Sequence, residues 1–249
     1  MLAKSLADVR QRIHQACQRC GRDPHTVQLV CVTKTVPIET IREALALGVT
    51  DLGENRVQEA RAKQTALGSG FWARGPQPSA LSPERVRWHL VGHLQRNKAK
   101  DAVELFDVIH SVDSLALADV LEEQAAKRRT ARLPLDVFVQ VNVSGESTKL
   151  GCSPEEVVTL APTVMRSPHL RLRGLMTIAP FSDDPENARS HFRRLRALRD
   201  SVASSFQLPA SSVLLSMGMS GDFEVAIEEG ADVVRIGTAI FGDRDEVIK

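Results

Sequence analysis

Val27–Pro37 reads VQLVCVTKTVP, and the way this stretch ends decides the fold. Its first seven residues are mostly apolar or β-branched, the composition of a buried strand. Pro37 lacks an N–H and discourages further ladder pairing, so the strand ends with Lys34 at its carboxyl tip. A doubly wound open sheet needs a glycine-rich phosphate turn after its first strand, and TKTVP is not one. The lysine stem lies in apolar company and its amine sits at the strand's carboxyl end. An uncharged amine there attacks a carbonyl and forms a Schiff base. An ordinary strand-end lysine snorkels to water instead.

Outward from this strand the chain keeps a regular beat. Leu2, Leu6, Val9, Ile13 and Ala16 or Cys17 recur at helical spacing, and Gly21 ends that leading helix. Pro37 starts a helix through Ile41, Ala44, Leu45 and Leu47, closed by Gly48. VTDLG is a very short strand that runs into GENRVQEA and another helix. Residues 68–84 are rich in Gly, Pro and Ser and read as a loop insertion. Then come a strand from Arg87 to Val91 with a helix from about Leu94, and a strand ending near Ser111 with Asp113 or Ser114 as the next cap. LDVFVQVNV is a central strand. Ser153, Pro154 and Glu156 form a capping box for the helix that follows. LRLRGLMTIAP, SVLLSMGMS and ADVVRIGTAIFG complete the strands, separated by a basic helix from Glu186 to about Ser204 and by GDFEVAIEEG, ended by Gly230. Eight short strands alternating with helices imply parallel pairing by right-handed crossovers. Eight such units in 249 residues predict a (β/α)₈ TIM barrel with an extra N-terminal helix, one domain over residues 1–249.

Composition narrows the function. A formal net charge of +1 gives no bulk electrostatic case for nucleic acid or membrane binding. Aromatic content is 4% with no Tyr, so stacking platforms for bases are scarce. Cys17 and Cys20 make a C-x-x-C pair inside a helical pattern, with no second close pair to complete a metal site. Few cysteines and no secretory or membrane-spanning apolar run point to a cytoplasmic protein.

A barrel works at the carboxyl ends of its strands. Strand one delivers Lys34 there, strand two Glu54 and Asn55, strand three His89 and His93, and strand four Ser111 and Asp113. Strand seven delivers Ser216, Met219 and Ser220, and strand eight Arg235, Gly237 and Thr238. Barrels often hold a phosphate between the loops after strands seven and eight. In MGMSG and RIGT, glycines let backbone N–H groups approach an anion, and Ser220 and Thr238 add hydroxyls. Arg235 supplies a charge-assisted donor. Taken singly these are ordinary turn glycines and caps. Placed across the barrel mouth from a strand-tip lysine, they suit a ligand with an aldehyde at one end and a phosphate at the other, such as pyridoxal 5′-phosphate.

VTKTVP, GENRVQE, WHLVGHLQRNK, HSVDS, QVNVSGESTKLG, GLMTIAP and SMGMSGDFEVAIEEGADVVRIGTAIFG run in order along nearly the whole chain. In these segments the chain resembles the pyridoxal-phosphate-binding homeostasis protein family, called YggS in bacteria. The resemblance implies a barrel like the N-terminal domain of alanine racemase, with pyridoxal phosphate held as a Schiff base on Lys34. It implies cofactor contacts from Ser216, Met219, Ser220, Arg235, Gly237 and Thr238, with Asn55 near the ring. It also implies a monomer that keeps the free aldehyde low inside the cell and passes the cofactor to apo-enzymes, without strong amino-acid catalysis. The family's usual GENYVQE is GENRVQE here, so Arg56 stands where a tyrosine is common.

Other residues carry simpler readings. His89 alternates with apolar neighbours and reads as a buried, hydrogen-bonded residue. Lys149 is expected to face water, and HFRRLRALR reads as the wet face of a helix with Phe192, Leu195 and Leu198 inward. Two alternatives stay open. One is a pyridoxal-phosphate racemase or decarboxylase, although two-base racemisation needs a second proton carrier and the chain has no Tyr. The other is a class I aldolase in which Lys34 attacks a sugar-phosphate carbonyl directly.

Overall fold

The computed structural model describes residues 1–68, 86–128, 133–146 and 148–243. Among the described residues, eight strands close into a parallel barrel in chain order. They are β1 (Gln28–Val32), β2 (Asp51–Glu54), β3 (Arg87–Leu90), β4 (Val108–Val112), β5 (Leu135–Gln140), β6 (Leu170–Met176), β7 (Leu214–Ser216) and β8 (Val233–Ile236). The helices are α1 (Leu2–Arg19), α2 (Ile38–Ala46), α3 (Val57–Leu67), α4 (Ala99–Leu105), α5 (Leu115–Arg128), α6 (Pro154–Arg166), α7 (Arg189–Ser205), α8 (Phe223–Glu228) and α9 (Thr238–Phe241). The expected (β/α)₈ barrel with its leading helix is therefore the observed architecture. The insertion expected at 68–84 lies outside the described residues beyond Gly68.

Local signals account for most boundaries. Ser153 accepts from the Glu156 N–H while Glu156 returns the bond to the Ser153 backbone, so the capping box forms as read. Gly48 and Gly230 end α2 and α8 with φ of 78° and 100°, where a Cβ would be strained. Other boundaries shift. The helix expected from Leu94 begins as a 3₁₀ turn at Arg96–Lys98 and becomes α4 only at Ala99. The last strand is followed by the four-residue α9, too short to show a periodic pattern.

Two apolar layers hold the barrel. The inner one packs Val30, Val91, Val108, Phe138, Met176 and Val233 inside the sheet. The outer one packs the helices onto the sheet's other face. Strand alternation divides the two: Val30 and Val32 face in, and Cys31 faces the helices. The α1 helix buries Leu2, Leu6, Val9, Ile13, Ala16 and Cys17 against the barrel wall. Burying such aliphatic side chains is worth roughly 1.5–3 kcal/mol each for the larger ones. This helix lies over α8, α9 and α2, so it straddles the place where β8 meets β1. Arg12 and Arg19 pair with Glu224, Arg19 with Glu228, and Arg22 with Asp232 across that contact.

The basic face of α7 is less wet than expected. Phe192 and Leu195 are buried and Leu198 packs partly against the core, as read. Arg189, Arg193 and Arg196, however, reach the buried Glu229 that caps the end of α8 at 2.9, 3.0 and 3.2 Å. The charge run is balanced by an acidic neighbour that sequence spacing alone does not place opposite it.

Candidate functional site

Lys34 sits in a turn two residues past β1, half-buried at the carboxyl end of the barrel. Both of its neighbours are tied down. The Thr33 hydroxyl donates to Glu54 Oε1, and the Thr33 carbonyl accepts from Lys63 Nζ. On the other side the Thr35 N–H donates to Glu59 Oε1. Lys63 Nζ lies 2.7 Å from both Glu54 Oε1 and Glu59 Oε1, so one ammonium joins the two carboxylates that hold the turn. Thr35 adopts φ of 60°, a conformation that costs a β-branched residue energy and persists only when surroundings enforce it. The Glu54–Lys63–Glu59 group supplies that enforcement. Glu54 is fully buried; burial raises its carboxyl above the usual 4.5, with the Lys63 charge acting against that.

Glu54 therefore corrects one expectation. Its place at the end of β2 predicts a residue delivered to the mouth, but its side chain faces the helices. Gly53 points inward, where an added Cβ would meet Val30 Cγ1 at 3.0 Å, and the next residue must point the other way. The same parity puts Thr33 outward beside Glu54 and turns Lys34 to the inner side. Asn55 follows at the β2 tip with its backbone against Gly92 after β3, so close that a Cβ on Gly92 would lie 2.4 Å from the Asn55 carbonyl oxygen.

A second correction concerns position. Closure sets β1 beside β8, with Val30 opposite Arg235 and Cys31 opposite Ile236. Lys34 is thus a neighbour of Gly237 and Thr238, not a residue across the mouth from them. The β7 loop is one strand further round, about 10 Å from β1 at the usual strand spacing. Ser220 joins the two segments: its Oγ accepts the Gly237 N–H at 3.3 Å and the Ala239 N–H at 3.2 Å. Two amides thus already converge on an oxygen, the donor arrangement an oxyanion needs. Thr238 is exposed beside them. The Met219 N–H is taken by Asp222 Oδ1 at 2.6 Å, so Met219 offers the mouth its half-exposed side chain instead of a backbone donor.

Below the mouth the barrel interior is polar along one line. Arg235 donates from one terminal nitrogen to Ser216 Oγ at 2.7 Å and from the other to the Thr177 carbonyl at 2.8 Å. Ser216 Oγ lies 2.9 Å from His110 Nδ1, His110 Nε2 lies 2.9 Å from His89 Nδ1, and His89 Nε2 lies 2.9 Å from Asp51 Oδ1. All five side chains are buried. Phe138 stacks on the His110 ring at 4.6 Å. Burial holds the His110 ring well below its ordinary 6.5, and positive charge on its neighbours, His89 and Arg235, adds to this. Burial also draws the Arg235 guanidinium down to about 10, still a cation at neutral pH. Burial pushes the Asp51 carboxyl up, but the hydrogen bond from His89 and the Arg87 charge outweigh it, and the net shift is downward.

His89 is buried and hydrogen-bonded, as its alternation with apolar neighbours implies. Asp51, Glu59 and Lys63 have no place among the site residues read from the sequence. Their spacing along the chain carries no signal; only strand register brings them together. His93 and Asp113, at the tips of β3 and β4, approach to 3.4 Å at the rim. Lys149 is half-buried in the loop after β5, less exposed than expected.

An amine on a braced turn, two amides converging on an oxygen, and a buried guanidinium lie on three consecutive strand ends: β7, β8 and β1. These groups fit a ligand that carries both a carbonyl and an anion. Residues 5–245 match the alanine racemase N-terminal domain family model. The "Pyridoxal phosphate homeostasis protein" of Pseudomonas aeruginosa is 44% identical over 244 residues, 98% of this chain and 96% of that protein. The protein of the same name from Aquifex aeolicus is 42% identical, covering 96% of each chain. The structure of PipY from Synechococcus elongatus with PLP bound is 36% identical, with a TM-score of 0.78, covering 97% of this chain and 100% of that one.

Proposed function

We propose, from the premise that this chain belongs to the pyridoxal phosphate homeostasis protein family, that it binds pyridoxal 5′-phosphate covalently through Lys34 and serves to hold that cofactor within the cell. The observation that carries this reading is the grouping of the Lys34 turn, the Ser220-bridged amides and Arg235 on three adjoining strand ends. The cofactor's aldehyde and phosphate supply the reactive carbon and the anion for which this mouth has an amine and donors. Lys34 binds the carbon, and the strained turn around it keeps the amine in place. Ser220, Gly237 and Thr238 form the anion side, and Met219 shapes its wall. Arg235, fixed by Ser216, presents a cation from the floor, while Asn55 lines the β2 side of the ring. Residues 1–249 act as one cofactor-binding domain, which works as a monomer in the cytoplasm and releases its cargo to apo-enzymes.

Titration of the apo-protein with pyridoxal phosphate tests this. A visible absorption band should appear at one equivalent, borohydride should fix the label on Lys34, and Lys34→Ala should stay colourless. A protein that ignores pyridoxal phosphate but traps a sugar phosphate on borohydride treatment is an aldolase instead. Rapid exchange of amino-acid α-protons would show an amino-acid enzyme. Transfer to an apo-enzyme no faster than spontaneous release would remove the delivery role and leave binding intact.

A further inference from the structure

Arg235 is held by a path that leads away from the mouth, through Ser216, His110 and His89, to Asp51 at the amino-terminal end of the barrel. That end borders a cavity of about 490 Å³ lined in part by Arg10, His25, Gln28 and Thr50, on the far side of the sheet from Lys34. We propose that Asp51, His89, His110 and Ser216 form a one-way hydrogen-bond chain that positions Arg235 for the cofactor, with its direction set by the distant carboxylate. This deepens the cofactor reading above and rests on it for what Arg235 is positioned to meet.

The direction follows from which groups can donate. A guanidinium only donates, and an ionised carboxylate only accepts. His89 must therefore carry a proton on Nε2 to reach Asp51 Oδ1. In the proposed direction that ring is neutral and Nδ1 accepts, so the facing His110 Nε2 is the donor. His110 is neutral as well, because it is fully buried beside Arg235. Its Nδ1 then accepts, and the Ser216 hydroxyl must give its proton there. The Ser216 oxygen is left with its lone pairs toward Arg235. Every proton along the path has an acceptor.

The opposite direction does not close. A cationic His89 would donate to His110, whose Nδ1–H would then point at Ser216. The Ser216 oxygen would receive two donors, and its own buried proton would have neither of these neighbours to accept it. The carboxylate is itself well fixed. Gln28 Nε2 donates to Asp51 Oδ1 at 2.7 Å, Arg87 Nε approaches the same oxygen at 3.2 Å, and the Thr50 hydroxyl donates to Oδ2 at 2.9 Å. In the forward direction each bond also polarises the next, which strengthens the grip on Arg235.

The test begins with the cofactor-free full chain, labelled with ¹⁵N histidine, at neutral pH. Ring-nitrogen shifts and long-range proton–nitrogen correlations identify the protonated nitrogen of each imidazole. The expected result is Nε2–H alone on both His89 and His110. A proton on His110 Nδ1, or on both nitrogens of His89, overturns the proposal. Asp51→Asn keeps the acceptor oxygen and should retain the pattern. Asp51→Leu removes it and should leave both rings as mixtures of tautomers; a single unchanged Nε2–H pattern in that folded variant also overturns the proposal. If Asp51→Leu does not fold, the wild-type spectrum still decides. Pyridoxal phosphate affinity should fall about tenfold or more in Asp51→Leu, since a bond to a charged group is lost, and stay near wild type in Asp51→Asn. Equal affinities in the two folded variants would mean that the chain does not act on the mouth. Failure of the wild-type protein to bind the cofactor at all would instead sink the functional reading and leave the ring protons as measured.

Discussion

Lys34 and Arg235 are fixed by opposite means. Behind Lys34 lies an ionic group between sheet and helices, in which Lys63 is shared by Glu54 and Glu59. Behind Arg235 lies a path of Ser216, His110 and His89 inside the barrel, ending on the Asp51 carboxylate. The contrast follows from position. Lys63 arrives on α3 almost fully buried, and the two carboxylates at 2.7 Å offset the cost of desolvating its charge. Inside the barrel, burial beside Arg235 disfavours a charge on His110, and hydrogen bonds between rings and hydroxyl carry the connection instead. One device stores a strained backbone turn; the other transmits orientation over several side chains.

Breaking the ionic side should have the largest effect. Lys63→Met leaves Glu54 buried with an uncompensated charge and should cost about 3–5 kcal/mol, read as a lower urea midpoint. Glu54→Gln combined with Lys63→Met should recover a large part of that loss. Equal midpoints for Lys63→Met and wild type would show that the Lys34 turn does not depend on this pair.

Cutting the path behind Arg235 should cost less. Ser216→Ala strips a partner from both His110 and Arg235, a loss of about 1–3 kcal/mol. Its effect on pyridoxal phosphate affinity should exceed that of Lys63→Met once both are compared at equal folded fraction. The reverse ranking would place orientation on the wrong side of the mouth.

Acid separates the two devices by sign. The folded-state pKa of His110 is depressed, so its contribution to stability is full above 6.5 and is lost as pH falls from there toward the folded value. The slope is about 1.4 kcal/mol per pH unit for the one proton involved. Glu54 has a raised folded-state pKa, so its contribution is full below 4.5 and is lost as pH rises through the folded value. Urea titrations between pH 7 and 5 should therefore show the stability gap between wild type and Lys63→Met narrowing as pH falls. The smallest expected change is at Arg56, exposed at the start of α3. Arg56→Tyr should alter stability by less than about 0.5 kcal/mol, and a larger shift would reveal a role for that position in the mouth.

The barrel was legible because each strand and helix carries its own period, and because TKTVP lacks the glycines of an open nucleotide-binding sheet. The α1 face and the Ser153 capping box were readable for the same local reason. Within the site, Lys34 and the Ser220 and Gly237 segments stood out as strand-tip chemistry. The orientation of Glu54 was within reach of simple alternation from Gly53, but a four-residue strand gives little pattern to count. The Asp51–His89–His110–Ser216 path was not legible. Its members lie on four strands, and only closure and register bring them into one line. The bulge in β4 between Ile109 and Val112 further disturbs the inside–outside count just where His110 sits.

Because β1 lies against β8, the lysine and the anion notch come from opposite ends of the translated message. A ribosome that has released only the first seven strands holds a half-made mouth, with an amine and nothing beside it to grip a phosphate. Closure between residues 28–31 and 233–236 is a late, long-range event of the kind that sets folding speed. With the proposed site, cofactor capture reports barrel closure, and a premature stop before Val233 should leave a product unable to withdraw the reactive aldehyde from solution.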